Sequence, residues 1–493
     1  MKIQIKIMAI FILFFSFAII SCSGGGGGTT PPSNTQENPP APPAVTATAG
    51  YKQVKLTWDS VQGATSYNVY WSSSPAVSVA TGTAILNVTS PYIHTGLVTG
   101  TTYYYILTAT NNIGTSGESN VVSTAPIIPQ KIVGGVPCDY LAKRIWDVKW
   151  KQLDPISTMY ANGIGWARVG VLTTSSADLR STPASNWNTL PWKNEYWSSL
   201  EYAEQIMREA SNAGMKLNLF FFLSDQAAHG GAQNAPLAWQ NLSVDDTAVV
   251  LQDYCYQTTK YFKDKGLNIE LYDIGNEIER GILNFRPGER VTLPSGIDQM
   301  NNMDYMKNNI WNIEAKLLKA AIAGVKQANP NAKIVLHIAA LGASNNNIFV
   351  NTFFQYMIEQ GVAFDYAGLS YPYKSYPLAA TVPYFTNNDF LSAISFIGSL
   401  GKKIIISEYS YPNSLTGISE SPDPGYPYTP SGQEQWLKDF LLFCMNNDNI
   451  AGLHYFYPEY YPGMSNGSTP ELESTGLFSS DTQIQPAMLK FKL

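Results

Sequence analysis

Two glutamates carry the clearest chemical signal in this chain. One stands in Gly275-Asn276-Glu277, the other in Ser407-Glu408-Tyr409. Each leaves an apolar run, Ile274 before the first and Ile404-Ile405-Ile406 before the second. A carboxylate that follows an apolar strand emerges from a core rather than from a solvated face. Two such groups brought to one place suit the cleavage of a glycosidic bond. One carboxylic acid protonates the leaving oxygen while the other carboxylate attacks the anomeric carbon. Composition agrees with an uncharged, hydroxyl-rich ligand. Charged residues are only 14% of the chain and the net charge is −6, so no phosphate-tracking surface is expected and nucleic acid is excluded as a partner. The 30 tyrosines and the many Asn, Ser and Thr supply a neutral surface instead.

The elements that must position this pair can be read from residue 131 onward. Short apolar runs at Lys131–Pro137, Ala167–Leu172, Lys216–Leu223, Glu270–Gly275, Lys333–Ala339, Tyr366–Ser370, Lys403–Ser407 and Ala451–Phe456 predict strands buried on both faces. Amphipathic segments between them, such as Trp197–Ala213, Asp245–Lys265, Tyr305–Gln327 and Gln433–Asn446, predict helices. The fold class is α/β, a (β/α)8 TIM barrel spanning residues 131–493, with its chemistry at the carboxyl ends of the strands. A doubly wound sheet would also alternate, but no glycine-rich phosphate loop follows any strand. Glu277 then ends strand four and Glu408 ends strand seven, on opposite sides of one barrel mouth.

Residues 44–127 read differently. Val54, Leu56 and Trp58 alternate, as do Tyr67, Val69 and Trp71, and Tyr103, Tyr105 and Leu107. Period-two runs between Gly-, Asn- and Ser-rich turns predict an all-β sandwich. With Trp58 in the second strand and Leu97-Val98-Thr99-Gly100-Thr101-Thr102-Tyr103 before a later one, the segment resembles a fibronectin type III module. Its expected role is a spacer. The N-terminus reads as an address. Lys2 and Lys6 precede an apolar run from Met8 to Ile20 that is too short to span a bilayer. Ile19-Ile20-Ser21-Cys22 resembles a bacterial lipoprotein box, which implies a signal peptide over 1–21 and lipidation of Cys22. Residues 22–43, with a run of glycines from Gly24 to Gly28, predict a flexible tether. The expectation is an exported, lipid-anchored monomer at the bacterial cell surface, in the outer membrane. Cys138, Cys255 and Cys444 remain, as one disulfide or as buried thiols.

The residues around the two glutamates resemble one family in particular. Tyr272-Asp273-Ile274-Gly275-Asn276-Glu277-Ile278 followed by Gly281 is similar to the acid/base motif of glycoside hydrolase family 53, the endo-β-1,4-galactanases. Gly214-Met215, Ser224-Asp225, Gln233, Pro236-Leu237-Ala238-Trp239, Leu336-His337, Gly368-Leu369-Ser370-Tyr371-Pro372, Ser407-Glu408-Tyr409-Ser410-Tyr411-Pro412 and Gly476-Leu477-Phe478 follow in the family's order. The resemblance implies a retaining endo-β-glycanase acting on β-1,4-galactan or arabinogalactan. It implies Glu277 as acid/base, Glu408 as nucleophile and Asn276 as partner of the sugar 2-hydroxyl. It implies Arg168, ending strand two, as the group that keeps Glu408 charged, and Tyr371 as the tyrosine beside it. His337, Asp225, Trp239 and Tyr457 complete the expected substrate-binding set. Trp187, Trp192, Trp197, Tyr460 and Tyr461 are further candidates for stacking on sugar rings. No cofactor is expected, and no spacing supports a loop calcium. Where the family has a histidine and a tyrosine after strand three, this chain has Phe222-Leu223; where it has Trp-Glu-Pro after strand eight, this chain has Phe456-Tyr457-Pro458. Two alternatives stand beside this reading. The same machinery could act on another β-glycan, or the chain could be an inactive surface glycan-binding lipoprotein.

Overall fold

The structure, a computed structural model, describes residues 38–136, 154–173, 199–225, 227–298, 301–339, 346–371, 382–418, 421–460, 470–479 and 483–492. The signal peptide, Cys22, most of the tether, Cys138, Trp187, Trp192, Trp197 and Tyr461 lie outside the described residues.

The first seven strands form two antiparallel sheets. β1 (Val45–Gly50), β2 (Gln53–Trp58) and β5 (Tyr92–Thr95) make one. β3 (Ser66–Ser72), β4 (Thr83–Val88), β6 (Tyr103–Thr110) and β7 (Val122–Thr124) make the other, in the order β4-β3-β6-β7. The alternating residues face inward, as a period of two requires. Val54, Leu56, Trp58, Val69, Tyr105 and Leu107 form a closed apolar core. The Tyr103 hydroxyl accepts from the Val98 N–H at 3.1 Å and pins the turn before β6.

The remaining eight strands close a parallel barrel: β8 (Ile132–Val136), β9 (Trp166–Val171), β10 (Lys216–Phe221), β11 (Ile269–Ile274), β12 (Lys333–Ile338), β13 (Tyr366–Ser370), β14 (Lys403–Tyr409) and β15 (Ile450–Phe456). These are the strands the apolar runs predict, to within a few residues. Helices α1 (Pro155–Ala161), α2 (Leu200–Ala213), α3 (Val244–Asp264), α4 (Asn312–Ala328), α5 (Asn346–Glu359), α6 (Asn388–Ser399), α7 (Pro430–Asn446) and α8 (Pro470–Thr475) accompany them. Ser243 caps α3 by accepting from the Asp246 N–H, and Asp245 and Asp246 complement the positive end of that helix. The segment read as one helix from Tyr305 begins instead with a π-helical stretch, Met306–Trp311. That wider turn sets the Trp311 indole N–H 2.9 Å from the Glu279 carbonyl.

The barrel interior is layered. At the amino ends of the strands Leu271, Val335 and Ile405 pack with Ile132, Trp166, Tyr366 and Ala451 into an apolar plug. Two residues further along several strands, the same face turns polar: Arg168 follows Trp166, Asp273 follows Leu271, His337 follows Val335 and Ser407 follows Ile405. All four are at most 1% exposed, as are Asn218 and His454. The outward faces of the strands, Val169, Leu219, Phe221, Ile274, Leu336, Leu369, Ile406 and Leu453 among them, pack on the helices as the main core.

The sandwich and the barrel touch. Tyr51, in the turn between β1 and β2, is 4% exposed and belongs to the barrel's core. Its N–H donates to Asn446 Oδ1 at 2.7 Å, and its carbonyl accepts from Asn446 Nδ2 at 3.2 Å. The Lys131 ammonium donates to the carbonyls of Cys444 and Asn447 at the carboxyl end of α7 and of Ile450 at the start of β15, at 2.6–2.7 Å. Burial lowers its pKa to about 8. Cys255 and Cys444 are buried free thiols.

Candidate active site

Arg168 organises the mouth. Sequence reading sets it at the end of its strand; it stands third in β9, inside the barrel. β9 runs on to Val171 because Gly170 leaves room for aromatic rings: a Cβ there would lie 2.5 Å from Phe220 and 2.6 Å from Phe222. The guanidinium has 0% exposure and fills its donor sites in several directions. Nε donates to Asp273 Oδ2 at 2.7 Å, Nη1 to Glu408 Oε1 at 2.9 Å and Nη2 to Asn276 Oδ1 at 3.1 Å. Its plane lies 4.1 Å from the centre of the Phe220 ring. Burial opposes its charge, but Asp273 and Glu408 outweigh that and raise its pKa.

Glu408 reaches this arginine because β14 is irregular. Alternation from Ile405, which faces inward, would turn Glu408 outward. The pairing register shifts between Leu369 and Ser370 on one side and between Ile406 and Tyr409 on the other. A bulge of this kind re-aims a side chain. It turns Glu408 into the mouth, where 16% of its side chain remains exposed. Burial pushes its pKa up to about 7; Arg168 pulls it down, while Glu277 and Asp273 push it up.

Glu277 is placed by a sharp turn after β11. Gly275 has φ +87°, and Glu277 itself has φ +52°, a left-handed conformation that costs a non-glycine residue about 1–3 kcal/mol. Leu223 and Tyr457 take the same conformation after β10 and β15. The Gln233 amide holds the turn by donating to the carbonyls of Asn276 at 2.7 Å and Glu277 at 3.1 Å. The carboxyl of Glu277 is gripped at both oxygens, Oε2 by the Gly230 N–H at 2.9 Å and Oε1 by the Ser370 hydroxyl at 3.1 Å. Asn276, 6% exposed, has its amide oriented by the Ala228 carbonyl, which accepts from Nδ2 at 3.0 Å. His337 Nδ1 lies 2.9 Å from Asn276 Oδ1, and Nε2 lies 2.9 Å from Ser370 Oγ. Burial, then Arg168 and His454, hold this histidine far below its ordinary pKa, so it is neutral.

Tyr371 does not face the mouth. Ser370 points inward, so its neighbour points outward into the layer between β13 and the helices. The Tyr371 ring packs against Tyr384, Phe390, Trp436 and Phe440, and its hydroxyl donates to Asp423 at 3.4 Å. Only its backbone meets β14, with the N–H donating to the Glu408 carbonyl at 2.7 Å. The place beside Glu277 on this strand belongs to Ser370. Asp225 is structural in its observed bonds: it accepts from the Thr173 hydroxyl and, at 3.0 Å, from the Leu237 N–H. Trp239 is half-buried, edge-on to Tyr254. Tyr457 stacks on Phe456 at 3.9 Å, and both pack on Leu172, Phe220, Phe222 and Ala228.

Sequence reading passed over Asp273, Ser370, Gly230 and Glu279. Asp273 was detectable, as a charged residue inside the strand Ile269–Ile274. Glu279 is 2% exposed and accepts from the Ala339 N–H at 3.0 Å; burial, with Glu277 adding to it, pushes its pKa up to about 7. Glu314 on α4 is 1% exposed with no partner for either oxygen, and burial and Glu279 raise its pKa. Among the described residues no three His, Cys, Asp or Glu side chains converge as a metal site would need.

Residues 146–491 match the model of glycosyl hydrolase family 53. An arabinogalactan endo-β-1,4-galactanase of Humicola insolens is 27% identical over 294 residues, which cover 57% of this chain and 78% of that protein. Arabinogalactan endo-β-1,4-galactanase A of Aspergillus niger is 26% identical over 287 residues, 55% of this chain and 72% of that protein. The family 53 catalytic domain of Ignisphaera aggregans shares the fold, with a TM-score of 0.57 at 24% identity over 74% of this chain and 97% of that one. With the barrel, the inward-turned glutamates and this match together, the chain belongs to glycosyl hydrolase family 53 and is a glycoside hydrolase.

Proposed function

We propose that this chain cleaves β-1,4-galactan or arabinogalactan internally with retention, Glu408 acting as nucleophile and Glu277 as acid/base. The observation that carries the reading is the pairing of Arg168 with Glu408 at 2.9 Å opposite a Glu277 gripped at both oxygens. A polymer lies across the mouth. Glu408 attacks the anomeric carbon while Glu277 gives its proton to the leaving oxygen. Water then enters, Glu277 takes its proton, and the glycosyl–Glu408 bond breaks. Asn276 has one amide hydrogen on Ala228 and offers the other to the 2-hydroxyl. Arg168 compensates the charge of Glu408 whenever that group is free. A pure glycan binder would need neither glutamate held in this way.

The substrate rests on relatives that are named galactanases. The wall of Phe222, Phe456 and Tyr457 favours a second reading, the same chemistry on another β-glycan. Sugar release from β-1,4-galactan, mannan, xylan and β-glucan decides between them. Retained configuration in fresh product, and its loss in Glu408→Gln, tests the mechanism; inverted product would overturn it. His337, Asp225, Trp239 and Tyr457 would act by shaping the mouth.

The same proposal places the enzyme at the bacterial cell surface as a monomer, held by lipid on Cys22, with residues 44–127 as a fibronectin type III-like spacer. The lipoprotein-box residues support the anchor, and the three- and four-stranded sheets with the Tyr103 turn support the module. Mass spectrometry of the mature N-terminus tests the anchor; an unmodified start beyond Cys22 would remove it.

A further inference from the structure

One of the two grips on Glu277 comes from a place with little rigidity of its own. The Gly230 N–H that meets Oε2 lies at the tip of a tight hairpin, where His229 and Ala232 exchange both backbone hydrogen bonds at 2.8 Å. The tip itself is Gly230-Gly231. Glycine suits the close approach, because a Cβ on Gly230 would lie 3.0 Å from Glu279 Oε1. Glycine also loses more conformational freedom on ordering than any other residue, and here two stand together. A donor carried on such a tip stays in place only if something outside the hairpin holds it.

Arg286 holds it. This residue lies in the loop after β11, is 9% exposed, and has no part in any reading above. Its Nη2 donates to the Gly230 carbonyl and its Nη1 to the Gly231 carbonyl, each at 3.1 Å. Nη1 also donates to Glu289 Oε1 at 3.2 Å. Glu289 is fixed in turn, since its Oε2 accepts from Asn284 Nδ2 at 2.9 Å and the Asn284 N–H donates to the Gln233 carbonyl at 2.8 Å. The loops after β10 and β11 are therefore bonded twice, by Gln233 at the Asn276 and Glu277 carbonyls and by Arg286 at the hairpin tip. A planar guanidinium meets two neighbouring carbonyls with two nitrogens, which an ammonium cannot reproduce. Stapling two loops does not require a buried charge, because apolar packing does so without desolvating an ion. What the guanidinium adds is a fixed position for one backbone N–H.

We propose that Arg286 is a positioning residue for the acid/base: by holding the Gly230-Gly231 tip it keeps the Gly230 N–H on Glu277 Oε2 and so sets the rotation of that carboxyl. This rests on the acid/base role proposed for Glu277. Ser370 holds the other oxygen from β13. With Oε2 released, the carboxyl can turn about its last bond around one remaining donor. Proton delivery to the leaving oxygen needs a fixed approach, and a misplacement on the order of 1 Å can cost about 100-fold. Glu408 is held by Arg168 from β9, not by this hairpin. A loosened tip therefore slows the departure of a poor leaving group and spares one that departs without a proton.

The test measures kcat and KM for the wild type, Arg286→Ala, Arg286→Lys and Glu277→Gln. The substrates are β-1,4-galactan and aryl β-galactobiosides of graded leaving-group acidity. Arg286→Ala should lower kcat on galactan about 10- to 100-fold with KM little changed, and should leave the aryl substrate with the best leaving group within about twofold of the wild type. Arg286→Lys, which keeps the charge without the fork, should fall between the two. Equal losses on every substrate, or a loss confined to KM, would make Arg286 a loop staple and overturn the proposal. Hydrogen exchange of the peptide spanning residues 228–233, followed by mass spectrometry, judges the clamp without any substrate. It should quicken about tenfold or more in Arg286→Ala while the barrel strands stay unchanged, and unaltered exchange there would overturn the proposal. If Arg286→Ala does not fold, Glu289→Gln removes the charge that anchors the guanidinium and should show the same leaving-group dependence more weakly; its absence counts against the clamp. A Glu277→Gln enzyme whose losses do not follow leaving-group acidity would instead defeat the acid/base assignment, while the exchange rates would still judge the clamp.

Discussion

The sandwich and the barrel place opposite kinds of residue in their interiors. Between the two sheets the inward positions are Val54, Leu56, Trp58, Val69 and Leu107, all apolar. Inside the barrel, just above its apolar plug, they are Arg168, Asn218, Asp273, His337 and His454. A sandwich has one interior, and that interior must supply the burial that holds it together. A (β/α)8 barrel has two buried faces on every strand. The outer face packs on helices and supplies the core, so the inner face is free to carry charge. The barrel's stability and its chemistry are thus assigned to opposite sides of the same strands.

That contrast can be broken by substitution, most severely at Glu408. Glu408→Gln should lower turnover on the order of 10⁴-fold or more, since the nucleophile proposed for this enzyme has no substitute. Its melting temperature should not fall, because burial already favours an uncharged group there. A large drop in melting temperature would show that the inner face is part of the fold's stability after all. The sandwich should behave in the reverse way. Trp58→Ala should cost about 3–5 kcal/mol of stability in that region, read by denaturant unfolding, with hydrolysis of a soluble oligosaccharide retained.

Glu314 sharpens the comparison, because it is a carboxyl on the barrel's helical side with no partner. Glu314→Met should stabilise by about 1–3 kcal/mol, the penalty of burying an unpaired polar group. The pH dependence has a definite sign. The folded pKa of Glu314, like those of Glu279 and Glu408, lies above its unfolded value. Such groups contribute stability that is fully present below about 4.5 and is lost as pH rises through the folded pKa, about 7 for Glu279 and Glu408. Melting temperatures should therefore fall from mildly acidic to mildly alkaline pH, and less steeply in Glu314→Met. A melting temperature that rises over this range would contradict the burial argument. The finest test is Asp273→Asn. It removes a negative charge that helps raise the pKa of Glu408, and leaves Arg168 to Glu408 alone. The acid limb of kcat/KM should move to lower pH by about one unit. A limb that stays or moves upward would mean that Asp273 serves only to hold Arg168 in place.

Much of this was legible in order along the chain. The eight apolar runs place β8 to β15 to within a few residues, because strands buried on both faces leave no other pattern. Glu277 and Glu408 were legible because a charged residue at the end of such a run has few structural uses. Cys138, Cys255 and Cys444 allowed either one disulfide or free thiols; Cys255 and Cys444 are buried free thiols, and Cys138 lies outside the described residues. Asp273 went unread although its position inside an apolar strand marks it. Tyr371 was preferred over Ser370 because an aromatic near a sugar site draws attention, while a one-residue step along a strand reverses the face.

By itself the sequence determined the barrel, the sandwich before it and the two carboxylates, since hydrophobic period and strand order are properties of the chain read locally. The tertiary structure alone decided how those carboxylates are aimed. The bulge that turns Glu408 inward exists only in the register between β13, β14 and β15. The left-handed turn at Glu277 is held by Gln233 and Gly230 from another loop. Each depends on contacts between strands or loops far apart in the chain, and a pattern along one strand holds no record of its neighbour's register.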